Sequence, residues 1–241
     1  ASIHLAFKIP AEVVVAICDQ WSYNDRRSHR VDVMVSTERK IREFERRELE
    51  ILSAALELFA GERWESVTVT QIARQAGIGK GTVYKHFASK DEIYARLALD
   101  FFHGLLERSR QIPLGDDPVA NMREAFRDAL VYHMEHQEYA NVRQYVFRAG
   151  FWERLSKTYV EDFETLDAEF GSWANEGIKR GMQTGVFSTQ PLQTVRMGLD
   201  ALFNGAVSQL YGNRCWMEVD PESYIEQIVD FAMNSLQAGQ E

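Results

Sequence analysis

The chain has 241 residues, 45% of them hydrophobic and 26% charged, enough to build a substantial core in one or two domains. Two cysteines far apart in sequence, Cys18 and Cys215, argue against a disulfide framework or a cysteine-based zinc site and fit a reducing, cytoplasmic setting. The longest apolar run, Val13 to Cys18, is too short for a membrane span and short for the core of an export signal.

Residues 1–33 carry the least pattern. Val13 to Ile17 reads as a strand or a helix fragment, and Arg26, Arg27 and Arg30 as a basic arm. Residues 1–37 are expected to form a poorly ordered or incidental extension, with Met34 a reasonable start of the functional chain. From Glu38 to Gly61 the spacing of Leu49, Leu52, Leu56 and Phe59 predicts a helix that ends at the glycine.

The next stretch, Val67 to Leu97, reads as two short helices, a glycine turn between them, and a capped third helix. Thr70 is placed to cap the first, ahead of Ile72, Ala73 and Ala76, and Gly77 to end it. In the second, Val83 and Phe87 share one face while Lys80, Thr82, Lys85 and His86 project elsewhere. Ser89 and Glu92 fit a capping box for the third, continued by Ile93, Leu97 and Phe101. Two short helices joined by a glycine turn make a helix-turn-helix, whose second helix enters the major groove of DNA.

The formal net charge of −9 speaks against nucleic acid until its distribution is considered. Residues 39–110 carry a slight positive balance and residues 111–241 a strongly negative one. The plan is therefore an extension (1–37), a DNA-binding domain (38–88) and an acidic helical regulatory domain (89–241).

Beyond Phe101, the run from Gln111 to Pro118 marks a loop. Met122, Phe126, Ala129 and Met134 then predict a helix to about Glu135, and a shorter helix is expected over Glu138 to Ala149. A long one follows from about Glu153 to Lys179, with Gly181 and Gly185 at its end. No convincing period-two strand follows residue 34, so the fold is expected to be all-α. The last two helices carry the stripes Leu192, Val195, Leu199, Leu202, Ala206 and Ile225, Ile228, Val229, Ala232, Leu236. Paired with a second copy they would form a four-helix interface; alternatively they face their own subunit's core.

From Leu49 to Leu97 the sequence resembles the DNA-binding domain of the TetR/AcrR family of transcriptional regulators. The resemblance rests on A-A-L-E-L-F-A at 54–60, I-A-R-Q-A-G-I at 72–78, K-G-T-V-Y-K-H-F at 80–87 and S-K-D-E-I at 89–93. It implies a homodimeric regulator, usually a repressor, that binds operator DNA and is released by a small-molecule effector. No membrane partner and no cofactor are expected. By position in the motif, Lys80, Gly81, Thr82, Tyr84, Lys85 and His86 correspond to positions that touch DNA. Lys80 and Lys85 are assigned to base or near-base contact, and Tyr84 and His86 to phosphates. Thr70 and Gln71 assist from the preceding helix, and Lys90 meets a phosphate at the start of the next.

Candidates for the effector pocket are Phe101, Phe126, Tyr132, His133, Tyr145, Trp152, Phe170, Trp173 and Phe203, side chains that equally fill helical cores. Glu135, Asp162 or Asp200 would favour a cationic ligand, and His133, Arg148 or Arg196 an acid or acyl chain; the sequence does not choose. Two rival classes stand beside this reading. One is a helical metal-dependent enzyme built on His133, Glu135 and His136, although the Glu-x-x-His pattern of di-metal helical proteins is lacking. The other is a dimeric adaptor that does not read DNA.

Overall fold

The structure, a computed structural model, describes residues 28–112, 115–212 and 219–237, with side chains from Glu38 onward. The readings of Val13 to Ile17, Arg26, Arg27 and Arg30, the start at Met34, and the two cysteines lie outside the described side chains. Among the described residues the regular structure is helical, as the periodicities predict, and a lone antiparallel bridge joins Phe187 to Gln237. None of these helices is long and apolar enough to cross a membrane.

The chain divides into two units, Ala1–Arg47 and Glu48–Glu241. Helix α1, Ser28–Phe59, begins well before the expected Glu38. In the first unit Glu43 accepts hydrogen bonds from Arg46 Nε at 3.1 Å and Arg47 Nη2 at 3.4 Å, pairs one turn apart that support an exposed helix.

The second unit takes up the end of α1, where Ile51, Leu52, Ala55 and Phe59 are buried on one face. Leu49, expected on that face, is 63% exposed. It lies two residues from Ile51, about 200° around the helix axis, so the two cannot share a side. Helix α2 spans Val69–Gln75, α3 Lys80–His86 and α4 Lys90–Arg110.

The cap of α2 is Thr68, not Thr70. The Thr68 hydroxyl accepts from Gln71 N–H while Gln71 Oε1 accepts from Thr68 N–H at 2.8 Å, a reciprocal box that Thr70, already inside the helix, does not form. Gly77 ends the helix with φ +66, as its position predicts. Ser89 caps α4 by accepting from Glu92 N–H, and the Glu92 carboxylate reaches back to Ala88 N–H at 2.8 Å.

Helix α5, Pro118–Glu135, is capped by Asp117, which accepts from Val119 and Ala120. A single 3-10 turn, Gln137–Tyr139, redirects the chain into α6, Ala140–Val146, shorter than expected. Helix α7, Lys157–Gln183, starts after the expected Glu153 and runs through Gly181. That glycine is not a stop: the Phe187 ring packs where its Cβ would stand, and Gly185, at φ +76, makes the turn. Helices α8, Leu192–Tyr211, and α9, Pro221–Leu236, complete the unit.

Two apolar clusters hold the second unit. The first joins the end of α1, α2, α3, α4 and α6 with Phe163 and Leu166 of α7. The second joins α5, α8 and α9 with Ile178 and Phe187. The stripe assigned to a dimer interface belongs to this second cluster. Val195, Ala206, Ile225, Val229 and Ala232 are buried in it, and Leu192, Leu199, Leu202 and Ile228 pack against it half-buried. The buried members of the stripes lie inside the chain because α8 and α9 pack against each other and on α5. Their outward faces carry instead Met197, Gly198, Ala201, Gly205 and Phe231, all exposed.

Candidate functional site

The outer face of α3 follows from its two-sided sequence. Val83 and Phe87 anchor it in the first cluster, 0% and 2% exposed. Opposite them, Lys80, Gly81, Tyr84 and Lys85 are exposed, with Thr82 and His86 half-buried at the margins. The Lys80 ammonium lies 5.6 Å from the Tyr84 ring centroid, a pairing one turn apart that holds both side chains outward. Thr70 and Gln71 are exposed on the first turn of α2, and nothing stands within 4 Å of where a Cβ on Gly79 or Gly81 would project. A backbone that bare lets another molecule approach closely.

Lys90, expected to meet a phosphate, is half-buried. Its ammonium donates to Val67 O at 3.0 Å and Glu65 O at 3.4 Å, and lies 5.8 and 5.7 Å from the Tyr94 and Tyr145 rings. Burial lowers its pKa from the ordinary lysine value, with the Arg148 charge acting in the same direction and Asp91 opposing. Lys90 thus pins the segment that leads into α2.

Helix α6 touches this head from the other side. Asn141 Nδ2 donates to Phe59 O at 2.9 Å, satisfying a carbonyl at the C-terminal end of α1. One turn on, the Tyr145 ring stacks on Tyr94 of α4, which stacks in turn on Phe59, both at 3.8 Å between centroids. The Tyr145 hydroxyl donates to Asp91 Oδ1 at 2.6 Å, and Arg154 Nε to Asp91 Oδ2 at 3.0 Å. Arg148 bonds Glu65 and lies 4.7 Å over the Trp64 ring.

The remaining face of α6 borders a cavity of about 480 Å³ among α4, α5, α6, α7 and α8. Of the pocket candidates, Phe126, His133, Trp152, Phe170, Trp173 and Phe203 line it. Phe101, Tyr132 and Tyr145 do not. Phe101 packs into the rings of Tyr132, His133 and Tyr139, Tyr132 donates to Phe101 O at 3.2 Å, and Tyr145 is taken up by the head. The wall also includes Phe102, Phe147 and Phe163, and charged or amide residues that sequence reasoning did not single out: Arg143, Asp167 and Asn204. No periodic or motif signal marks these three; the 3-10 turn before α6 brings Arg143 to the cavity.

His133 is 0% exposed, and its Nδ1 lies 2.9 Å from the Tyr211 hydroxyl. Burial, with the charges of Arg143 and His136, pushes its pKa down from 6.5 to about 3, so the ring is neutral. The three residues of the metal-enzyme reading are each engaged separately: His133 with Tyr211, Glu135 with Arg108 at 2.5 Å, His136 with Glu138 at 3.3 Å.

The sequence profile described as "Bacterial regulatory proteins, tetR family" matches residues 51–97, the end of α1 through the first turns of α4. The HTH-type transcriptional repressor KstR2 of Mycobacterium tuberculosis is 30% identical over 138 residues, 55% of this chain and 66% of KstR2. The chain carries a TetR-family DNA-binding domain. Its alignment with KstR2 thus spans just under two thirds of that relative. A tetR-family regulatory protein from Rhodococcus RHA1 shares the fold with a TM-score of 0.66 at 17% identity, over 80% of this chain and 98% of that one. RolR, solved in complex with resorcinol, gives a TM-score of 0.56 at 16% identity, over 81% and 90%. KstR2 and the Rhodococcus protein are regulators, which sets the metal-dependent enzyme reading aside.

Proposed function

We propose that the chain is a ligand-responsive transcriptional repressor that binds a palindromic operator as a homodimer and is released when a small apolar or amphipathic effector fills the cavity. The observation that carries this reading is the double duty of α6. Arg143 and Val146 border the cavity, while Asn141 and Tyr145 of the same short helix hold the end of α1 and the start of α4. An effector that moves α6 therefore shifts the head. Release follows if it binds the DNA-incompetent arrangement more tightly.

On DNA, Lys80 and Lys85 reach base edges, Tyr84 and His86 hold phosphates, and Thr70 and Gln71 assist from α2. Lys90 supports this face from behind through Val67 and adds positive potential toward the phosphates. Dimerisation uses the outward faces of α8 and α9, where Met197 and Phe231 flank the small residues Gly198, Ala201 and Gly205. Two heads then meet two half-sites. The repressor name of KstR2 and the resorcinol bound to RolR support the same reading.

Selection from random duplex oligonucleotides, followed by gel-shift titration, tests it. An inverted repeat bound by two copies is expected. Enrichment of no site, with ligand absent, would favour the adaptor and sink the repressor.

A further inference from the structure

The cavity's wall is apolar except for a few polar side chains, and these are not balanced alike. Arg196 has Asp200 within its electrostatic reach, and Asp167 acts on Asp200 in turn; burial and Asp167 together raise the Asp200 carboxyl above its ordinary range. Arg143 is different. Its guanidinium is half-buried over the Phe147 ring at 4.8 Å and donates to the neutral Asn204 Oδ1 at 2.5 Å. The Asn204 amide is fixed in that sense because its Nδ2 donates to Asp200 O at 2.8 Å. Among the described residues no carboxylate lies within ion-pair distance of Arg143 or Arg196, whereas Arg108, Arg110, Arg123, Arg127, Arg148 and Arg154 each have one; of the two cavity arginines, Arg196 has Asp200 in electrostatic reach and Arg143 has no such carboxylate.

A second observation points to the same place. Nε2 of His133, on the cavity wall, is buried with no hydrogen-bond partner, although Nδ1 of the same ring is satisfied by Tyr211. In the tautomer whose Nδ1 accepts from the Tyr211 hydroxyl, Nε2 carries the proton and is a donor. A guanidinium drawn out of water without a counter-charge and a ring N–H without an acceptor are both costly, and one acceptor-only anion relieves both.

We infer that the effector is a monocarboxylic acid with an apolar body, its carboxylate held by Arg143 and by Nε2 of His133, its body among Trp152, Phe163, Phe170 and Trp173. Arg143 and a carboxylate match in planar geometry, and one guanidinium beside a neutral ring suits a single negative charge. A phosphate dianion would demand more donors and would meet Asp167 and Asp200. The volume admits a compact drug-sized molecule. The inference rests on reading the cavity as the effector site.

The test is calorimetric titration of the full chain with decanoate and 4-phenylbutyrate, with their methyl esters, and with the matching primary amines. The acids should bind more tightly than esters or amines by on the order of tenfold to a hundredfold, the worth of one charge-assisted hydrogen bond. Arg143→Met should abolish that advantage while leaving ester binding nearly unchanged. On the unaltered protein, the ¹⁵N signal of His133 Nε2 should move with the acids and stay with the amines, a readout that needs no variant to fold. Esters or amines binding as well as acids, or an acid advantage surviving in Arg143→Met, overturns the charge assignment and leaves the effector site standing. Failure of every probe to bind overturns both.

Discussion

The ring of Tyr145 lies 3.8 Å from that of Tyr94, inclined by 15°, so a residue of the cavity-bordering helix α6 is stacked on the core of the DNA-reading head. Tyr94 is wholly buried between Tyr145 and Phe59, and burial drives its phenol pKa far upward, so the stack is neutral throughout the physiological range. Offset or stacked ring pairs contribute about 0.5–1.5 kcal/mol beyond the area they bury.

Tyr145→Phe keeps the stack and removes the bond to Asp91. A loss of about 1 kcal/mol in stability is expected, with operator affinity nearly retained and the drop in affinity on adding effector reduced. Tyr145→Ala should cost about 2–4 kcal/mol through the cavity it opens. Urea denaturation together with gel shifts at saturating effector measures both; an undiminished effector response in the Phe variant would remove Tyr145 from the relay.

Lys85 and Lys90 should separate cleanly. Lys85→Ala removes an exposed cation and is expected to relax sequence preference, costing about 1–3 kcal/mol against the preferred site and lowering the salt slope by about one. Lys90→Ala leaves the Val67 carbonyl short of its ammonium partner, so it should lower fold stability by about 1–2 kcal/mol and weaken binding to all sequences alike. Binding isotherms on cognate and scrambled duplexes over a salt series, with urea midpoints for both variants, decide this. A Lys90 variant of unchanged stability would mean that the ammonium does not pin the segment leading into α2.

The buried neutral imidazole of His133 makes stability depend on acid. Its folded pKa of about 3 lies below the ordinary 6.5, so between those values the unfolded chain binds the extra proton. The contribution is fully present above pH 6.5 and is lost as pH falls, with a slope approaching about 1.4 kcal/mol per pH unit well below 6. Urea midpoints from pH 7.5 to 5 should fall more steeply for the native chain than for His133→Asn. Equal slopes would mean that the ring titrates normally.

Met197 and Phe231, each 64% exposed, make little contact within their own chain. Met197→Glu combined with Phe231→Glu should therefore convert a dimer to a monomer while changing the chain's intrinsic stability by only about 0.5 kcal/mol. Sedimentation velocity is the direct measurement. A dimer unchanged in affinity would place the interface elsewhere.

The head is legible in the sequence because its signals are local. Gly77, the Ser89 cap and the spacing of Val83 and Phe87 each act within a few residues, and the observed α2, α3 and α4 follow them. Even there, Thr68 and Thr70 both precede the apolar set, and the choice between them turns on the reach of Gln71. The body is less readable for a different reason. An apolar stripe states which face is dry and not what covers it, so Val195, Ala206 and Val229 fit a second subunit or their own core equally well. Arg143 gives no signal, since its importance comes from the lack of a carboxylate around it in three dimensions.

The hydrogen bond from Asn141 to Phe59 O bears on the interchangeability of parts. A head cut out and grafted onto the body of another regulator would leave behind the side chain that closes its first helix. It would also lose the ring that covers Tyr94 and the hydroxyl that bonds Asp91. Successful transplants of this reading head should therefore carry Asn141 and Tyr145 with them, or land on bodies that present the same amide and ring at the same point. A transplant cut after α6 should therefore retain more operator binding than one cut between α3 and α4.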